Sequence, residues 1–155
     1  MKLSKSCFRQ LSILDHDLDD ILISIMDIAE RVDRINEGRK LVVSLRKRID
    51  YIMRKSAFGA ETNNQMYRPK VLCVEWIDPL FSAGHWIPQM VEITGGVNGI
   101  RSRGSPSRRI SIEDIIQFQP DKIILMPCGF NLKRTLKVLK NNMQAVQENE
   151  VKRCS

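Results

Sequence analysis

Aromatic residues are scarce in this chain, at 6% of 155 positions, with two tryptophans and two tyrosines. Its four cysteines, Cys7, Cys73, Cys128 and Cys154, lie far apart and form no CxxC pair. That excludes a zinc knuckle and a thioredoxin-type redox motif. No GxGxxG, P-loop or HExxH sequence occurs, which removes the best-marked dinucleotide, nucleotide and zinc-hydrolase chemistries. No apolar run approaches the roughly 20 residues that a membrane-spanning helix needs. Met1–Gln10 is basic, but no apolar core follows it before Asp15. It does not read as a secretory signal, and the expected compartment is the cytoplasm.

Positive charge is in excess, at +7, so its distribution matters. Asp15, Asp17, Asp19, Asp20, Asp27, Glu30 and Asp33 make one stretch acidic. Arg39, Lys40, Arg46, Lys47, Arg48, Arg54 and Lys55 make the next one basic. Side by side, two such helices are expected largely to neutralise each other. The remaining cations are scattered, with no zinc-finger spacing, RNA-binding aromatic signature or continuous basic arm, so nucleic acid is not the expected partner.

The chain divides into a leftover at 1–14, two helices over 15–55, a linker at 56–69, an α/β unit at 70–140 and a polar tail at 141–155. Leu18, Ile21, Leu22, Ile25, Ile28, Ala29, Val32 and Ile35 keep the three-then-four spacing of an amphipathic helix. Asp15 or Asp17 can cap it, and Asn36–Glu37–Gly38 is expected to break it. Leu41, Val42, Leu45, Ile49 and Ile52 resume the pattern. The stripe is broader than a coiled-coil seam and is expected to lie on a sheet or domain.

Beyond the linker, Val71–Trp76 and Lys122–Cys128 read as buried parallel strands. Ile87–Thr94 reads as a short helix ended by Gly95–Gly96, and Val97–Ile100 as a short strand. Gly104–Arg109 reads as a loop. Ser111 and Asp114 form a capping box for a helix through Phe118, and another helix covers Leu132–Leu139. This alternation predicts a parallel sheet with helices on its faces.

The scarce aromatics are concentrated. Both tryptophans and His85, one of two histidines, fall within eleven positions of Val71–Gly96. The exit loop of a buried strand is where open α/β sheets build ligand sites. Trp76, Asp78 and Trp86 are therefore candidate pocket residues, and core packing is the alternative for the tryptophans. Cys73 reads as a small buried hydrophobe. Cys128 ends a strand at a crevice; as a nucleophile it would need a base, and His85 is the one available. Glu75, Asp78 and His85 could also form a generic metal or acid–base group.

Trp76–Pro79, Ala83–Pro88, Gly95–Gly96, Pro106–Arg109 and Leu125–Phe130, in this order and spacing, resemble the C-terminal lobe of cobalamin-binding proteins. These are ABC-importer substrate-binding proteins for cobalamin and iron chelates. The resemblance covers about residues 11–140. It implies half of a two-lobe clamshell, a Rossmann-like lobe preceded by a long amphipathic helix pair. It implies Trp76, Asp78, Trp86, Cys128, Gly129 and Phe130 in loops facing the ligand. It also implies a corrinoid or iron-chelate ligand, cobalamin among them, an ABC permease as partner, and no catalytic residue, resident metal or cofactor. Family members are typically extracytoplasmic. The N-terminal lobe has no counterpart in this sequence, so a truncated chain or a separate N-terminal lobe is expected. The alternatives are a non-functional remnant, a helical interaction protein or a small Rossmann-like enzyme domain.

Overall fold

A computed structural model describes residues 15–59 and 67–141. The segment read as leftover, the tail beyond residue 141, and half of the linker lie outside the described residues. Helix α1 (Leu18–Arg31) begins where the Asp17 carboxylate accepts the amides of Asp19 and Asp20, at 2.9 and 3.0 Å. Those amides have no partner within the helix, so the cap satisfies them. The helix stops at Val32–Arg34, with Asp33 at φ 56°, and α2 (Ile35–Gly59) then runs for 25 residues into the expected linker.

The expected break at Asn36–Glu37–Gly38 is thus displaced. Gly38 lies inside α2, where an added Cβ would overlap the Cβ of Ala29. Its missing side chain lets the two helices cross closely. Only part of the apolar stripe is covered: Leu22 and Ala29 are buried, while Ile28, Val32 and Ile35 are exposed. Among the described residues, the ion pairs of the acidic stretch do not run from α1 to α2 as neutralisation would suggest. Asp17 and Asp19 pair instead with Arg103 of the α/β unit, at 3.0 and 2.9 Å.

Among the described residues, four strands form one sheet in the order β3-β2-β1-β4. They are β1 (Val71–Ile77), β2 (Leu80–Ser82), β3 (Arg108–Arg109) and β4 (Lys122–Leu125). β1 and β4 are parallel, Val71 opposite Lys122 through Val74 opposite Leu125, as the sequence predicts. β4 ends three residues before the expected Cys128. On the other side the sheet is antiparallel: β1 turns at Asp78–Pro79 into β2, and β2 pairs with β3. Both segments had read as loop, since three- and two-residue strands carry too little pattern to register. Val97 adds a single parallel bridge to Lys70 rather than a strand.

Helix α3 (Ile87–Ile93) covers one face, where Val71, Cys73, Ala83 and Val91 form a buried cluster with Ile87 beside it. The opposite face buries Leu72, Val74 and Ile110 under Leu80, Ile115 and Phe118. Helix α4 (Ile112–Phe118) supplies Ile115 and Phe118 and opens with the predicted capping box, Ser111 and Asp114 bonded reciprocally. A last helix, α5, covers 132–141. The helix pair is fastened to this unit near both ends: Leu18 donates its amide to Gln89 Oε1 at 2.8 Å, and Ser56 donates its hydroxyl to the Ile93 carbonyl at 2.8 Å.

Candidate ligand platform

β1 would be a regular strand but for one residue. Val74 lies opposite Ser82, and Trp76 opposite Phe81, so Glu75 is an extra residue in the ladder. A bulge of this kind re-aims the side chains that follow it. In a regular strand Trp76 would share the face of Leu72 and Val74. Here Ile77 pairs with Leu80, which packs on the Leu72–Val74 cluster, so Trp76 and Phe81 turn to the opposite face. Phe81 in turn lies opposite Arg109 of β3. Directly opposed residues share a face. Arg109, Phe81 and Trp76 therefore stand in a row across three strands.

The row continues past β4. Because β1 and β4 are parallel, their exit loops open at the same edge. The Trp76 ring meets Phe130 edge-on, with centroids 5.2 Å apart and planes at 63°. The Arg134 guanidinium carbon lies 3.8 Å from the Phe130 centroid. Asn131 caps α5 by accepting the Arg134 amide at 2.9 Å, which fixes that residue in the first turn. The Trp76 indole donates to the Asp78 carbonyl at 2.9 Å, which holds the ring, still 38% exposed, in place. Gly129 has φ 72°, and a Cβ there would meet nothing within 4 Å. The backbone in front of it is open to a ligand. Cys128 and Met126 are exposed at the same edge.

Of the residues singled out from sequence, Trp76 thus lies near the end of β1, and Asp78, Cys128, Gly129 and Phe130 lie on the exit loops of the parallel pair. Trp86 belongs to a second group. It holds the N-cap position of α3, its ring 5.9 Å from that of His85, which lies 6.1 Å from His16. That group lies where the start of α1 meets the lobe. Among the described residues no His, Cys, Asp and Glu side chains gather in a group of three that could hold a metal, so Glu75, Asp78 and His85 are not one. No hydrogen bond joins Cys128 to His85 among the described residues. Cys73 is buried, as read, and burial pushes its thiol pKa up.

Sequence reasoning put Phe81 in the exit loop without choosing it as a site residue, and missed Arg109 and Arg134. Phe130 and Arg134 carry a usable signal, four residues apart across a helix start. Phe81 and Arg109 carry none without the strand register. The platform lies at the exit edge of the sheet. A cavity of about 820 Å³ lies elsewhere, between α1, α2 and α3, lined by Leu22, Leu45, Ile49, Met90 and Ile93 among others.

No protein-family model and no curated protein matches the sequence. Solved structures do match the fold. IsdE of S. aureus, solved with heme, superposes with a TM-score of 0.68 at 22% identity, over 84% of this chain and 49% of that one. An ABC transporter substrate-binding protein from Listeria monocytogenes gives 0.67 at 19%, over 84% and 49%. The periplasmic vitamin B12 binding protein BtuF of Vibrio cholerae gives 0.54 at 24%, over 71% and 41%. The chain has the mixed α/β fold of part of an ABC-transporter substrate-binding protein. It spans less than half the length of these structures.

Proposed function

We propose that this chain is a ligand-binding lobe of an ABC-importer substrate-binding protein, and that it captures a large flat ligand, a corrinoid or an iron chelate, without catalysing a reaction. One observation carries the reading: Trp76 and Phe130 pack together at the shared exit edge of β1 and β4, beside the open backbone of Gly129. Aromatic faces there can bury the apolar body of a ring ligand, a contribution that scales with the area removed from water. Phe81, Cys128 and Asp78 complete the surface, and Trp86, in the second group, contributes less directly. A second lobe closes over the ligand from the opposite side, and a permease receives it. Cobalamin is the first ligand to test, with heme and a ferric hydroxamate beside it.

Equilibrium dialysis of the full chain against these ligands tests the proposal. A lone platform makes only part of the contacts of a closed clamshell, so micromolar affinity is expected. Trp76→Ala should weaken it about 30-fold, since truncating a central aromatic anchor costs about 2 kcal/mol. Trp86→Ala should have a smaller effect. Binding that survives Trp76→Ala unchanged overturns the site.

A further inference from the structure

We infer that the ligand of this platform carries acidic groups on the rim of a flat apolar body, and that Arg109 and Arg134 recognise them; the inference rests on the aromatic row being the ligand site. The row ends in a guanidinium on each side. Register sets Arg109 beside Phe81 on the Trp76 face, and Arg134 stacks on Phe130. Both are exposed, and neither has an acidic partner among the described residues. Two other arginines of the lobe do have one, while Arg68 and Arg101 donate to backbone carbonyls. Arg103 holds Asp17 and Asp19, and Arg108, next to Arg109, lies 4.0 Å from Asp114.

Stacking fixes the plane of a guanidinium and leaves its N–H edge free. That edge matches a carboxylate with two parallel hydrogen bonds. With neighbouring strands 4.7–4.9 Å apart, Arg109 stands roughly 10 Å from Trp76 across two strand spacings. Phe130 and Arg134 add a further 5.2 and 3.8 Å contact. The two cations therefore bracket a surface wider than one aromatic ring and suited to a polycyclic or macrocyclic ligand. Asp78 and Glu75 are the acids next to Trp76 in the chain, and no ion pair joins either to these arginines among the described residues. A ligand with a cationic rim would meet unmatched guanidinium groups at both ends, and a neutral rim would leave them unused.

Two soluble porphyrins with the same ring and opposite rims make the test: tetrakis(4-carboxyphenyl)porphyrin and tetrakis(N-methylpyridinium-4-yl)porphyrin, each titrated into the full chain by absorbance. The carboxylated ring should bind at least about tenfold tighter, and Arg109→Gln and Arg134→Gln should each reduce that preference about threefold to tenfold. Replacing Arg39 and Lys40 together by Gln removes at least as much charge from α2 and should leave the preference intact. If that double variant erases it equally, net charge explains the result and the inference falls. If both porphyrins bind alike and Trp76→Ala abolishes both, the aromatic site stands and the acidic rim is wrong. If neither binds, or Trp76→Ala changes nothing, the site itself falls and the inference with it.

Discussion

β1 and β4 lie side by side, run in the same direction and have similar apolar sequences, yet their surroundings are opposite. In β1, Leu72 and Val74 are 1% and 2% exposed; in β4, Ile123 and Ile124 are 52% and 48% exposed. β1 has a strand on each side, α3 on one face and the Ile110–Ile115–Phe118 layer on the other. β4 pairs only with β1 among the described residues. An apolar run therefore marks a strand, while burial depends on what the rest of the fold lays over it. Bare apolar strands at a sheet edge are normally covered or blunted in stable proteins. Here the bare strand occurs in a chain that spans less than half of the solved structures sharing its fold.

The contrast can be broken by stability measurements. Leu72→Ala should cost about 3 kcal/mol by denaturant unfolding, as deletions in fully buried positions do. Ile124→Ala should cost under about 1 kcal/mol, as substitutions at half-open positions do. Equal losses would mean that β4 is covered in solution. A smaller effect sharpens the comparison from the other side. The open β4 edge should make the chain self-associate, and Ile123→Lys with Ile124→Lys should lower that association in sedimentation while leaving the unfolding midpoint nearly unchanged, because charge blunts an open strand edge. Undiminished association would place the sticky surface on the helix pair instead.

The smallest expected effect concerns the amino end shared by both strands. Asp121 accepts the Lys70 amide at 2.7 Å. That bond, with the Tyr67 hydroxyl second, holds its carboxyl below the ordinary 3.8. A depressed folded pKa contributes stability that is present above the unfolded value and is lost as pH falls through the folded one. The unfolding midpoint should therefore drop below about pH 4, and Asp121→Asn should flatten part of that acid limb. An unchanged acid limb in the variant would show that the bond ties nothing down.

Much of this architecture was legible in the residues. The parallel pair, α3, the capping box before α4 and the burial of Cys73 followed from apolar runs, glycine stops and local hydrogen-bonding chemistry. The hairpin arm did not, because β2 and β3 are held by register with β1 rather than by a pattern of their own. Gly38 misled for a related reason: a glycine can end a helix or let another helix close on it, and only the neighbour at Ala29 decides. The platform was half legible. Trp76 stood out as a rare aromatic near a strand exit, whereas Phe130 came only from the family resemblance. Their union with Phe81 and Arg109 depends on the extra residue Glu75, which no local pattern announces.

Gly84 has no room for a Cβ, which would overlap the backbone of Ser105–Ser107. The same two segments are laced by His85 donating to the Ser105 carbonyl at 2.6 Å and Gly104 donating to that of His85 at 3.0 Å. The hairpin and the loop leading to β3 are therefore riveted main chain to main chain, and Arg109 and Trp76 belong to one stiff plate. Arg134 rides on a separate helix, beyond the rivet. On the proposed reading, the Arg109 end of the platform is set by the main-chain rivet and the Arg134 end by α5, so a replacement for Gly84 would shift one end relative to the other without touching either arginine.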